Sequence, residues 1–162
     1  MPAGGGAYEA LQRLQLVHLV NPVPDTENST ATVFLDDERL PPVPQWRQEF
    51  QRVVNGTYEM RGVEVTLEGA IVARDRNLFL SGYGGRPPVQ LVPLSSDEKV
   101  QWNHVMQQRK PLEENEVVAF QRLETLWKGL GDTRQVSVSG PLKLVGQQYQ
   151  LSVRLFQWIE IR

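Results

Sequence analysis

The sequence contains no cysteine. Disulfides, thiol nucleophiles and thiolate metal sites are therefore excluded, but no compartment follows, because a chain without thiols folds in either redox environment. Histidine is scarce. Neither His18 nor His104 has a second histidine three or four positions away, so the helical His pair of a zinc enzyme is missing. No apolar run approaches the ~18 residues of a membrane span. The opening MPAGGGAYEALQRLQLVHLV lacks the charged start and the unbroken apolar stretch of a signal peptide. The expectation is a soluble, cytoplasmic chain. A large charge of one sign is absent too: the net charge of −2 gives no overall pull toward nucleic acid or an anionic membrane. Residues 1–62 hold eight acids and five bases, and residues 63–162 eleven acids and twelve bases, a mild polarisation.

What is present fits a chain of short elements. The 162 residues suffice for one core, and 13 glycines and 11 prolines fall mostly between periodic segments. The clearest signal is at 63–80. Val63, Val65 and Leu67 alternate with Glu64, Thr66 and Glu68, the period of a half-buried strand. Gly69 interrupts the pattern, Ile71 and Ala73 resume it, Asp75-Arg76-Asn77 reads as a turn and Leu78-Phe79-Leu80 as the return strand. A second hairpin over 135–161 repeats the design, with Gly140 after Val136 and Val138, and Tyr149 nine residues on. The glycine of each predicts a bulge or bend.

Ahead of the first hairpin, residues 7–20 have apolar positions at helical spacing. They end in Leu16-Val17-His18-Leu19-Val20, which also suits a buried strand; a helix that frays or turns extended before Asn21-Pro22 is expected. Thr30–Leu35 reads as a strand, Pro41–Pro44 as an extended spacer, and Gln45–Val54 as an amphipathic helix capped by Asn55-Gly56. Between the hairpins, Val89–Val92 predicts a strand. Ser95-x-x-Glu98 predicts the start of a helix carrying Trp102, Val105 and Met106, which Pro111 ends, and Glu113–Lys128 predicts a second helix.

From residue 63 onward the order is strand, strand, strand, helical segment, strand, strand. In that order, and in the glycine of its long first strand, the chain resembles the OB-fold, a small five-stranded Greek-key barrel. The expected fold is a β-rich α+β protein: a five-stranded OB-like barrel over 63–162 with a two-helix insert between strands 3 and 4. Residues 1–62 form an N-terminal extension packing on it, and the whole is one structural unit.

No motif carries chemistry by itself. A structural or surface role is favoured for both histidines, and no G-x-S-x-G elbow accompanies them. Asp36-Asp37-Glu38 lacks the spaced ligands that wrap a cation and reads as a solvated turn. The backbone of Gly82–Arg86 could approach a phosphate, but proline and a strand follow it where a helix N-terminus is needed, and a hairpin loop needing positive φ is favoured. Arg39–Pro44 resembles the proline-rich ligands of SH3-type domains; a rigid spacer is favoured. The resemblance to OB-folds implies a face where aromatics stack on bases beside basic groups. The candidate binding residues are Phe79, Tyr83, Arg86, Tyr149 and Arg154. No catalytic residue, metal site or cofactor is assigned. The favoured function is a non-enzymatic interaction module with a protein partner. A single-stranded nucleic-acid binder using those five residues is second, and an enzyme with a dispersed site near His104 third.

Overall fold

The computed structural model describes residues 3–54, 58–82, 86–130 and 134–159. In chain order they form α1 (Ala3–Gln12), β1 (Val17–Val20), β2 (Val33–Leu35), α2 (Val43–Val54), β3 (Glu64–Arg74), β4 (Asn77–Leu80), β5 (Val89–Pro93), β6 (Trp102–Asn103), β7 (Gln108–Arg109), α3 (Glu114–Val117), α4 (Ala119–Leu130), β8 (Gln135–Val145), β9 (Gln148–Val153) and β10 (Leu155–Trp158). They divide into two compact units, residues 1–61 with 101–108, and residues 62–100 with 109–162.

In the first unit the helix expected over 7–20 stops at Gln12. Two tight turns follow, closed by Arg13 N–H to Ala10 O and Leu14 N–H to Leu11 O, and Leu16 takes a left-handed φ of 71°. That reversal turns the remaining apolar run into β1, which pairs antiparallel with β2. The strand expected over 30–35 forms only from Val33. Helix α2 begins at Val43, inside the proline run, because proline is tolerated in a first helical turn where its missing N–H has no intrahelical partner. Val43, Trp46, Phe50 and Val54 are its buried stripe, and the Trp46 indole donates to Gln15 O at 2.8 Å. The Asn55-Gly56 cap lies outside the described residues. Residues 101–108 join this unit through Trp102, whose amide donates to Asn28 O at 3.0 Å and whose ring lies 3.7 Å below the Arg61 guanidinium.

The second unit is a closed five-stranded mixed barrel, ordered β8-β3-β4-β5-β9 and back to β8, with β10 as an extra strand on β8. All pairings are antiparallel except β5–β9. Both eleven-residue strands change partner just after their glycine. β3 leaves β8 at Ala70 and takes β4 from Ile71; β8 leaves β3 at Pro141 and takes β9 from Leu142. A Cβ at Gly69 would overlap the carbonyl oxygen of Ser81, and one at Gly140 that of Ser152. The expected bends are thus barrel corners where one backbone lies on another. The β3–β4 turn places Asp75 and Arg76 at φ 49° and 69°, the twist a two-residue hairpin requires.

One inward row, Leu78, Leu91, Leu151 and Leu142, runs across four strands in register, and Ile71, Leu80, Val89, Val136, Val138 and Val153 complete the barrel core. Helix α4 packs on β5 and β10 and buries Leu123. The insert between β5 and β8 does contain two helices, but they are α3 and α4, separated where Val118 leaves helical geometry at φ −102°, ψ 2°. The helix expected to start at Ser95 is absent. Residues 96–98 are a turn, β6 and β7 pair as a two-stranded ribbon, and the expected apolar stripe instead leaves Val105 89% and Met106 63% exposed. The last strand, expected to run unbroken from Gln148, divides at Arg154. No helix among the described residues is long and apolar enough to cross a membrane.

Candidate functional site on the outer barrel face

Strand alternation settles the orientation of Phe79. Leu78 and Leu80 are buried in the barrel, so Phe79 between them faces outward. Register then builds a row across the outside: Val72 opposite Phe79, Phe79 opposite Gln90, Gln90 opposite Gln150, and Gln150 opposite Lys143. Val72 is 45% exposed. The Arg74 guanidinium carbon lies 5.8 Å from the Phe79 ring centre, within cation–π range. The Gln150 amide donates to Gln90 Oε1 at 3.1 Å, and Lys143 reaches Glu98 at 2.6 Å. The face is an apolar pair flanked by one arginine and a side-chain amide bridge.

The other candidate binding residues lie elsewhere. Tyr83 is outside the described residues. Arg86 donates through Nη2 to the carbonyls of Glu68 (3.0 Å) and Ser81 (3.5 Å), beside the Gly69 corner. Tyr149 stands opposite Leu144 on the parity of buried Leu151, and burial pushes its phenol pKa up. Arg154 chelates Glu64, with Nε to Oε1 at 2.8 Å and Nη2 to Oε2 at 2.7 Å, and reaches Glu116 with Nη1 at 3.1 Å. The structure therefore does not bring Phe79, Arg86, Tyr149 and Arg154 to one surface. Phe156 takes the parity of buried Val138 and Val136, meeting Trp158 edge-on at 6.2 Å, so Leu155 is the outward residue there.

A charged cluster absent from the candidate residues lies beside these strands. Lys99 Nζ contacts Glu116 Oε1 at 2.6 Å and donates to Pro111 O at 3.0 Å. Glu116 also accepts the Glu113 amide at 2.7 Å. With Arg154 and Glu64 this makes two cations against two carboxylates. A second group joins Glu98 to Lys143, Ser95 and Ser152. Burial raises the pKa of Glu116, but the Glu113 amide, Lys99 and Arg154 outweigh it and hold the carboxyl below its ordinary value. Burial likewise raises that of Glu98, which Lys143 and Ser95 pull below normal. Donation to the Glu64 carboxylate pushes the Arg154 pKa up. Neither Glu98 nor Glu116 is thus poised to exchange a proton near neutrality. The one sequence signal for the cluster was the Glu113-x-x-Glu116 spacing at the start of α3.

The remaining motifs are placed as follows. His18 Nδ1 lies 3.3 Å from Asp36 with both side chains exposed, and His104 is in the exposed turn between β6 and β7. Asp37 pairs with Arg39 at 2.7 Å, which lowers its pKa, so side chains of the first unit already contact two of the three acids at 36–38. Pro41 and Val43 are buried and Val43 opens α2, which leaves no exposed polyproline strip. Among the described residues no three histidines or carboxylates are grouped to hold a metal. No protein-family model matches the chain, and no curated protein matches it.

Proposed function

We propose that the barrel unit is a non-enzymatic interaction module of the OB type, and that its partner is a protein docked on the outer face of β3, β4 and β5. The closed order with β5 parallel to β9 supports the OB reading. In such barrels the second and third strands, here β4 and β5, provide the binding face. The observation that carries the proposal is the outward pair of exposed Val72 and half-buried Phe79, because adjacent apolar side chains facing out of a barrel favour a protein surface. Arg154 and Arg86 are held by groups of this chain, which removes two of the cations that a nucleic-acid groove would use.

A second reading, a single-stranded nucleic-acid binder, draws on Arg74 over Phe79, since a ring beside an arginine is also a stacking platform.

Photo-crosslinking from position 90, beside the pair, tests the first reading in lysate of the source organism. The captured protein is then purified and titrated against wild type, Val72→Asp and Phe79→Ala. At least a tenfold loss of affinity in both variants is expected. Unchanged affinity overturns the proposal. Salt-sensitive binding of a fluorescent oligothymidine that Phe79→Ala abolishes replaces it with the second reading.

A further inference from the structure

The two-stranded sheet of the first unit has one sealed edge and one open edge. Asn21 N–H donates to Thr32 O at 2.8 Å, and Asp36 N–H to Leu16 O at 2.7 Å. Residues 32, 34 and 36 therefore turn their backbone polar groups toward β1, and alternation turns those of Val33 and Leu35 away from it. On the far side of β1 the corresponding groups are capped by α1: Gln12 Oε1 accepts the Val20 amide at 2.6 Å, and the Tyr8 hydroxyl donates to Val20 O at 3.4 Å. The outer edge of β2 has no such cap; among the described residues no hydrogen bond from outside the pair reaches Val33 or Leu35.

Soluble proteins blunt such edges with proline, lysine or a bulge. Thr32–Asp36 contains no proline and no lysine, and the bulge of this pair, between Val17 and Leu19, is on the capped strand. The outward face adds an apolar grip. Leu19 lies directly opposite Phe34, and the two are 46% and 50% exposed, while Val20 on the other face is 1% exposed. The surroundings are acidic. Residues 21–42 hold Asp25, Glu27, Asp36, Asp37 and Glu38 against Arg39 alone, and Arg39 is paired with Asp37.

We propose that the open edge of β2 is a docking strip for an extended, lysine- or arginine-rich segment of another protein, which adds as a third strand and lays its apolar residues on Leu19 and Phe34. Main-chain bonds to Val33 and Leu35 supply the pairing, and alternate side chains supply selectivity. The charge pattern selects the occupant. A second copy of β2 would bring one acidic segment against another, and a nucleic-acid strand would meet acids instead of bases. The proposal concerns the first unit alone and is independent of what the barrel face binds.

The test is fluorescence anisotropy on the full chain with a labelled heptapeptide, Lys-Val-Lys-Val-Lys-Val-Lys. Binding at low salt is expected, weakened at least tenfold when alternate peptide amides are N-methylated, and weakened similarly by Val33→Pro. That substitution deletes an N–H not used within the sheet. Because Val33→Pro also restricts the backbone, its fold is checked by circular dichroism, and the N-methylated peptide gives the same answer on the unaltered protein. Asp36→Asn with Asp37→Asn should reduce both affinity and salt dependence. Equal binding of the N-methylated peptide, equal binding of a glutamate-for-lysine peptide, or no binding overturns the proposal. So does a dimer in sedimentation that Val33→Pro dissolves, which would assign the edge to a second copy.

Discussion

Lys99 Nζ lies 2.6 Å from Glu116 Oε1 with both side chains almost sealed from water, at 5% and 2% exposure. The pair is joined to Glu64 through Arg154, so it anchors the start of α3 to strand β3 and to the break between β9 and β10. Removing one charge leaves the other buried and uncompensated. Glu116→Gln is expected to cost about 3–5 kcal/mol, and Lys99→Met with Glu116→Leu to recover most of that loss. Urea denaturation of the three proteins checks both expectations.

Glu116 and Glu98 both contribute to the acid sensitivity of the fold. Glu98 and Glu116 have folded pKa values below their ordinary value. Their contribution is therefore complete above the unfolded glutamate pKa of about 4.3 and is lost as pH falls through the depressed folded values. Unfolding free energy measured from pH 7 downward should stay level in this respect to about pH 4.3 and then decline. Glu98→Gln should flatten the decline.

Arg154 should resist conservative replacement. It makes three charge-assisted bonds to two carboxylates in a planar fork, and lysine cannot span both partners. Arg154→Lys is expected to lower stability by about 1–3 kcal/mol and to leave binding at the outer barrel face unchanged. Thermal melts and the partner titration separate these effects.

The barrel corners and helix α4 predict opposite signs for one substitution. Gly69→Ala and Gly140→Ala push a methyl group into backbone carbonyls and should destabilise by about 1–3 kcal/mol or more. Gly129→Ala, in α4 with nothing within 4 Å of the added atom, should be neutral or stabilise by up to about 1 kcal/mol. Denaturant midpoints of the three variants decide.

The barrel was legible where local pattern and tertiary need agree. Alternation at 64–74, the Asp75-Arg76 turn and the paired glycines all encode the same bent strands, and no other part of the chain had to be known. The 95–110 segment failed for the opposite reason. Ser95 does hydrogen-bond Glu98, as a helix start would, but Glu98 is also claimed by Lys143 and Ser152 from distant strands. Trp102 is held by Asn28 and Arg61. Those partners are remote in sequence, so a helical pattern was readable while the contacts that override it were not. The candidate site divided similarly. An outward Phe79 follows from parity. The engagement of Arg154 depends on Glu64, 90 positions away, which no local spacing reveals.

The parallel β5–β9 contact has a kinetic consequence. Gln90 and Gln150 are neighbours in space but sixty positions apart along the chain, and this is the seam at which the cylinder closes. During synthesis, β3, β4 and β5 can form a meander long before β9 exists, and for that interval β5 presents an unpaired apolar border. Closure must wait for residues 148–153 to emerge and for everything between to be gathered in, a long loop whose entropy slows folding. Cellular yield should therefore depend less on the strength of the finished barrel than on how well that border is shielded while the seam is open.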